Sequence, residues 1–139
     1  MQSYFASGTG LQEMYISPDL LSEQNWDDLA ASAKWARTHA AVLRDSHWIG
    51  GDPVRLQVYG WGAWAPGEAV IALRNPGDEA QEFRLDIAAA LELPGSEPRA
   101  WNARSVYDQS TPFVLQAGQP AVLKLQPFEV VVLELLPRS

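Results

Sequence analysis

The two histidines of the chain are the first candidates for chemistry. His39 and His47 are eight residues apart, and Asp45 and Asp52 lie close to them. Two imidazoles and one carboxylate can hold a transition metal in an open site, which is one interpretation of this region. The alternative is that His39 lies on a helix surface and His47 packs in a loop. The pattern favours the alternative, so the sequence predicts no metal site.

Nucleophilic and acid–base catalysis have even weaker support. Cysteine is absent and no Gly-x-Ser-x-Gly motif occurs, which disfavours thiol and serine hydrolases. Asp45 and Asp52 flank one loop and could act as the carboxylate pair of a glycosidase. Because the chain carries 17 acidic residues, such a pair arises easily by chance. The glycine-rich stretches lack the lysine of a phosphate-binding loop. We therefore predict no catalytic residue and no cofactor in this chain.

Four aromatic residues form the remaining candidate site: Trp48, Tyr59, Trp61 and Trp64. Tyr59 and Trp61 are two residues apart and should share one face of a strand. Exposed rings would form a stacking platform for a sugar, which makes a saccharide a candidate partner. Alternatively, the rings cover a seam between a helical part and a strand-rich part of the chain. The seam is favoured because large aromatic residues usually pack, and the sugar platform stays open.

Charge and composition exclude several classes of function. The net charge is −7, which disfavours nucleic acid and anionic membrane surfaces as partners. No run approaches the roughly 18 apolar residues of a membrane span. The first residues, MQSYFASGTG, show no basic segment followed by an apolar one, so no signal peptide is visible. A signal upstream of a longer parent protein would escape notice, and the compartment is not predicted.

The elements that must position these residues begin with a helix over residues 22–45. Ser22 is a plausible N-cap, and Arg37 lies towards the end where positive charge is favourable. Trp35 and Val42 lie off the main apolar stripe, so the helix has apolar residues on two sides and needs neighbours that this chain does not obviously provide. The stripe itself, at spacings of three and four, consists of Trp26, Leu29, Ala30, Ala33, Ala36, Ala40 and Leu43.

After Pro53 the hydrophobic period changes from the helical one to two. The turn NPGDEA should join residues 69–75 and 81–87 as a hairpin. The fold class is therefore mainly β: an antiparallel β-sandwich of about seven or eight strands, preceded by one long α-helix. The predicted strands cover residues 56–61, 69–75, 81–87, 99–107, 111–116, 121–126 and 128–136.

The change of pattern divides the chain into two parts. Residues 1–53 form an N-terminal segment with the long helix and an exit loop, and residues 54–139 form the sandwich domain. The stretch SHWIGGDP, Ser46 to Pro53, is interpreted as the hinge between them, with Trp48 as its anchor. Gly50 and Gly51 would permit the turn.

This order of elements resembles the C-terminal region of an α-galactosidase-type glycoside hydrolase. In that group a (β/α)8 catalytic barrel is followed by an antiparallel sandwich. Residues 20–53 resemble the last barrel helix and its exit loop with an Asp-Pro element, here Asp52 and Pro53. Residues 69–87 resemble the sandwich hairpin, residues 99–110 a strand that carries an aromatic residue, and residues 128–136 the closing strand. Bacterial enterotoxin-like or hypothetical glycosidases show a similar pattern.

The resemblance implies a function without a catalytic site in this chain. The catalytic carboxylates of such enzymes lie on earlier barrel strands, and a barrel needs about 250 residues. We expect a non-catalytic sandwich domain that stabilises the barrel, with Trp26, Trp35 and the alanine stripe facing it. Without the barrel, the helix should mediate self-association. The alternatives are a stand-alone carbohydrate-binding module and a protein-interaction sandwich.

Overall fold

The computed structural model describes residues 1–8, 10–108 and 110–138. The predicted N-cap is confirmed: the Ser22 side chain accepts from the Asn25 backbone N–H, and the Asn25 side chain accepts from the Ser22 backbone N–H. This reciprocal pair satisfies two donors that a helix start leaves free. The helix bounds are α1 Gln2–Phe5, α2 Glu23–Thr38, α3 Ala40–Leu43 and α4 Ile87–Ala90, with 3-10 turns at Pro18–Leu20 and Pro53–Arg55.

Within the described residues, eight strands form two antiparallel sheets, which confirms the fold class. The larger sheet has the order β1-β2-β3-β8-β5-β6, and the smaller pairs β4 with β7. The strand bounds are β1 Ser46–Gly50, β2 Tyr59–Ala65, β3 Glu68–Arg74, β4 Gln81–Leu85, β5 Ala100–Ser105, β6 Phe113–Gln116, β7 Ala121–Leu125 and β8 Val130–Pro137.

The large sheet has two covered faces, because its strands alternate apolar residues towards both. Its inner face, which includes Ile71 and Trp101, packs against the small sheet and α4 around the main core. Its outer face, which includes Val70, Ala72 and Val132, carries α1, α2 and α3 over part of its area. The helical segment is therefore one of the layers that cover the sheet.

Two predictions about the strands are wrong. The loop predicted for Ser46–Pro53 begins later, because Ser46–Gly50 is an edge strand that pairs antiparallel with β2. The hairpin predicted between residues 69–75 and 81–87 does not form: β3 pairs with β2 and β8, whereas β4 pairs with β7. The connection after β3 crosses from the large sheet to the small one. The prediction is wrong because the same turn residues can form a hairpin or a connection between sheets.

The buried side chain of Asn75 holds this crossing in place. It is 0% exposed, and its Nδ2 donates to the carbonyls of Glu79 at 2.7 Å and Gln126 at 2.9 Å. Its Oδ1 accepts from the Gly77 backbone N–H at 3.0 Å and from Gln81 Nε2 at 2.7 Å. One amide thus satisfies polar groups from three segments, which a buried turn requires.

Helix α2 packs with a face that shares Ala36 with the predicted stripe and is otherwise rotated away from it. Ser32 is 1% exposed and Trp35 and Ala36 are partly buried on the outer face of the sheet, whereas Trp26 is 42% exposed. Val42, also off the stripe, is fully buried. Trp35 carries an N–H donor that meets a carboxylate on the sheet, so a polar partner helps to set the rotation of the helix. Apolar spacing alone carries no information about such a partner.

Candidate functional site

Three of the four predicted aromatic residues come together on the outer face of the large sheet. Trp48 on β1 is the register partner of Trp61 on β2. Tyr59 lies two residues before Trp61 and joins the same face. The rings of Trp48 and Tyr59 are stacked, with centroids 4.9 Å apart and planes at 9°. Trp61 meets both rings edge to face, at 5.6 Å from Trp48 and 5.8 Å from Tyr59. We call Trp48, Tyr59 and Trp61 the aromatic cluster.

The fourth residue, Trp64, lies elsewhere. It is three residues after Trp61, an odd spacing that turns its side chain to the inner face of the sheet, where it packs against the main core. A platform of all four residues is therefore not formed.

Gly62, which lies between the aromatic residues of β2, has a separate structural reason. A Cβ on Gly62 would lie 2.8 Å from the Ala90 carbonyl oxygen, so glycine lets α4 approach β2.

The aromatic cluster is open to solvent at its edge. Trp48 is 48% exposed, and Tyr59 and Trp61 are half-buried. The helices cover the neighbouring part of the same face, where Ala63 and Val70 are buried. They do not cover the aromatic cluster. Both the seam interpretation and the sugar interpretation of these rings stay predictions.

A second constellation, absent from the sequence predictions, surrounds Glu134 on β8. Its carboxylate accepts from Trp35 Nε1 at 2.6 Å and from Arg104 Nε at 2.8 Å. His39 Nε2 lies 3.3 Å from both Glu134 Oε1 and Glu68 Oε1, and His39 Nδ1 lies 2.8 Å from the Trp35 carbonyl. A carbonyl only accepts, so Nδ1 carries the proton in this contact. We call these five residues the Glu134 network.

The electrostatics of the network favour an ionised carboxylate. Burial of Glu134, which has a side chain 8% exposed, opposes its ionisation. The hydrogen bonds from Trp35 and Arg104 and the nearby positive charge of Arg104 outweigh burial, so the pKa of Glu134 lies below its usual value. Beside the network, burial raises the pKa of Tyr107, because the phenolate would lose its hydration.

The Glu134 network holds α2 against the sheet, and donors occupy both oxygens of Glu134. Although Glu134 and Glu68 both approach His39, the oxygens of Glu134 are occupied by donors, so they do not form the acid and nucleophile pair of a glycosidase. A signal was present in the sequence: Glu134 is the one charged residue in the apolar run VVVLELL. An isolated charge in a buried strand requires a partner.

The histidines and aspartates considered for metal binding are dispersed. His39 belongs to the Glu134 network, whereas His47 Nε2 lies 2.8 Å from the Ala90 carbonyl on the other face of the sheet. Asp52 caps the 3-10 turn by accepting from the Val54 N–H. Within the described ranges, no group of three or more potential ligands could hold a metal ion. The described part of the chain also contains no helix long and apolar enough to cross a membrane.

A groove of about 540 Å³ lies between α2 and the residues that precede it in the chain. Part of the predicted stripe, Leu29 and Ala33, lines one side of it, and Phe5 and Met14 line the other. Its walls are mainly apolar. Leu29 and Ala33 of the stripe therefore face Phe5 and Met14 and open solvent, whereas Ala36 and Leu43 also pack on the outer face of the sheet.

No family model and no curated protein matches this chain. A proposed α-N-acetylgalactosaminidase from Bacillus halodurans superposes with a TM-score of 0.59 at 19% identity, covering 85% of this chain and 26% of its own. An α-amylase from Geobacillus thermoleovorans superposes with a TM-score of 0.58 at 15% identity, covering 86% of this chain and 24% of its own.

An Anoxybacillus α-amylase gives a TM-score of 0.52 at 12% identity, with 86% of this chain and 24% of its own covered. At these identities the likeness shows a shared fold. The chain spans about a quarter of the length of these glycoside hydrolases. Such partial coverage is consistent with a domain of a larger enzyme.

Proposed function

We propose that this chain is the non-catalytic C-terminal sandwich domain, with its preceding helix, of an α-galactosidase-like glycoside hydrolase, and that it stabilises a (β/α)8 catalytic barrel. Residues 1–53 are the end of the barrel and its exit, and residues 54–139 are the sandwich. The strand β1 then ties the first part to the sheet of the second. The sequence resemblance and the partial coverage of glycoside hydrolases support this proposal independently of each other.

The observation that carries the proposal is where the exposed apolar residues lie. Among the described residues, fourteen large hydrophobic side chains are exposed, and half of them fall within the first 26 residues. They are Met1, Tyr4, Leu11, Tyr15, Ile16, Leu20 and Trp26. Large exposed apolar areas mark sites of interaction. The residues before α2 and the outer side of α2 therefore have the character of an interface that lacks its partner.

The two sides of α2 differ in a way that fits this role. The side towards the sheet is anchored by Trp35 through the Glu134 network. The other side presents Trp26 and lines the 540 Å³ groove with Leu29 and Ala33. Small residues allow close approach of a second helix. The partner in this proposal is the barrel, and self-association through the helix is its substitute when the barrel is missing.

The first test is the size and activity of the native protein. An antibody against residues 92–99 would isolate it from its source cells, and peptide mapping would identify it by the tryptic peptide LDIAAALELPGSEPR, residues 85–99. We expect a polypeptide several times larger than 15.3 kDa that hydrolyses p-nitrophenyl glycosides. A native polypeptide of 15.3 kDa without a barrel would overturn the proposal.

The second test uses Trp26→Ala in both contexts. In the isolated chain Trp26 is 42% exposed, so the substitution should change stability by less than about 0.5 kcal/mol and reduce binding of the dye 1-anilinonaphthalene-8-sulfonate. In the full enzyme the same substitution should cost about 3 kcal/mol, because the indole is buried there. Val122→Ala, an exposed residue on the distant strand β7, is the control and should be neutral in both. Equal, small effects of Trp26→Ala in both contexts would contradict the interface.

A further inference from the structure

His39 lies where the end of α2 meets the outer face of the large sheet. It is the C-cap residue of α2, and its side chain is 14% exposed, so its polar contacts are made largely inside the protein. Nδ1 lies 2.8 Å from the Trp35 carbonyl, and Nε2 lies 3.3 Å from Glu68 Oε1 and from Glu134 Oε1. The protonation state of the ring therefore decides whether these contacts attract or repel.

Both nitrogens of the His39 ring face carbonyl or carboxylate oxygens. A neutral imidazole carries one N–H, so its second nitrogen presents a lone pair. In this position a neutral ring would direct that lone pair either at the Trp35 carbonyl or at two carboxylates, and both arrangements are repulsive. The imidazolium form carries an N–H on each nitrogen and satisfies both sides at once. The geometry of the contacts therefore matches the protonated ring.

The charges around His39 balance when the ring is protonated. Although burial opposes the ionisation of Glu134, hydrogen bonds from Trp35 and Arg104 lower its pKa, so this carboxylate is negatively charged at neutral pH. Glu68 supplies a second carboxylate, with a side chain 32% exposed. Arg104 Nε donates to Glu134 Oε2 at 2.8 Å and offsets one of the two negative charges. A protonated His39 offsets the other, whereas a neutral ring leaves it unpaired.

Two further features of the surroundings favour a cation at His39. The Trp35 ring stacks on the His39 ring, with centroids 4.8 Å apart and planes at 29°, and the face of an indole attracts a cation. His39 also lies at the C-terminal end of a 16-residue helix, which is the negative end of the helix dipole. Tyr107, which lies beside Trp35, adds no charge, because burial raises the pKa of its phenol.

We propose that His39 is a pH-sensitive clasp, whose protonated ring fastens the end of α2 to β3 and β8 and whose deprotonation loosens this attachment. Its carboxylate partners Glu68 and Glu134 belong to those two strands. The clasp contributes its full stability below about pH 6.5, the ordinary value for histidine in an unfolded chain. That contribution is lost as the pH rises and the folded chain gives up the proton. The inference goes beyond the proposed function and does not depend on it, because every contact lies within this chain.

The first test measures the charge of each histidine by nitrogen NMR of the imidazole rings. His47 is the internal reference, because it forms no ion pair within the described part of the chain. The substitution His47→Gln assigns the two sets of signals. We expect His39 to keep an N–H on both nitrogens to a higher pH than His47. The proposal is overturned if the folded chain holds His39 with a single N–H at about pH 6.

The second test is Glu68→Gln, which keeps the size of the side chain and removes its charge. A glutamine amide can donate to the lone pair of a neutral ring. The variant should therefore unfold at lower urea than the unchanged chain at about pH 6, and this deficit should disappear by about pH 8.5. Over this range the folding equilibrium constant of the unchanged chain should fall on the order of threefold relative to that of the variant. Glu82→Gln, at an exposed position on β4, is the matched control and should show no such change with pH.

A merely structural role for these residues would give a deficit that does not vary with pH. The proposal is overturned if the difference in stability between the unchanged chain and Glu68→Gln is equal at about pH 6 and about pH 8.5. If Glu68→Gln does not fold, His39→Gln supplies the same comparison. Its deficit should be largest at about pH 6 and shrink as the pH rises, and a constant deficit would overturn the proposal as well.

Discussion

Removal of a single hydrogen bond to Glu134 should loosen the attachment of α2 to the sheet. Trp35→Phe keeps an aromatic ring but deletes the N–H that reaches Glu134 Oε1 at 2.6 Å. A hydrogen bond to a buried charged group contributes about 1.5–3 kcal/mol, so we expect a loss of about 2 kcal/mol at pH 7. In a chain of 139 residues this lowers Tm by roughly 7 °C.

The pH dependence makes this prediction specific. The pKa of Glu134 is lowered in the folded chain, so ionised Glu134 contributes stability above about pH 4.5, the ordinary value for glutamate. That contribution is lost as pH falls through the lowered pKa of the folded state. Trp35→Phe returns the pKa of Glu134 towards its ordinary value. Its deficit in stability should therefore be full at pH 7 and shrink once both forms are protonated.

The assay is urea denaturation between pH 3 and pH 7, followed by circular dichroism. Trp26→Phe is the matched control, since Trp26 lies on the same helix, is 42% exposed and should change stability by less than about 0.5 kcal/mol. The reasoning is refuted if Trp35→Phe behaves like Trp26→Phe, or if its deficit is the same at pH 3 and pH 7.

Two further substitutions test how the sheets are joined and packed. Asn75→Ala leaves several buried backbone groups without a partner. It should lower the free energy of unfolding by about 3 kcal/mol or more, which a lower urea midpoint would show. A loss below about 1 kcal/mol would mean that other contacts hold the crossing. Gly60→Ala places a Cβ 1.8 Å from the Ala72 carbonyl oxygen and should prevent folding, whereas Gly95→Ala, with open space around it, should leave circular dichroism and Tm unchanged. A folded Gly60→Ala chain of normal Tm would contradict the close approach of β2 and β3.

The predicted fold class and the predicted start of the helix depended on local patterns, and both are confirmed. The alternation over the strands and the Ser22 cap each depend on a few neighbouring residues. They therefore form independently of where the segment lies in the fold. The same reasoning placed Tyr59 and Trp61 on one face, as the structure has them. Trp64 was included only because it is close in sequence, and the parity of the strand turns it to the core.

Local sequence patterns therefore predict the kind of element at each place and the two-residue or helical periodicity within it. Tertiary structure decided which strands pair, which face of α2 is buried and which side chains meet over long separations. Trp35 and Glu134 are 99 residues apart, and their contact sets the rotation of the helix. Such a contact depends on the packing of whole layers: the isolated charge of Glu134 indicates that a partner is needed, and no local energy term says which residue supplies it.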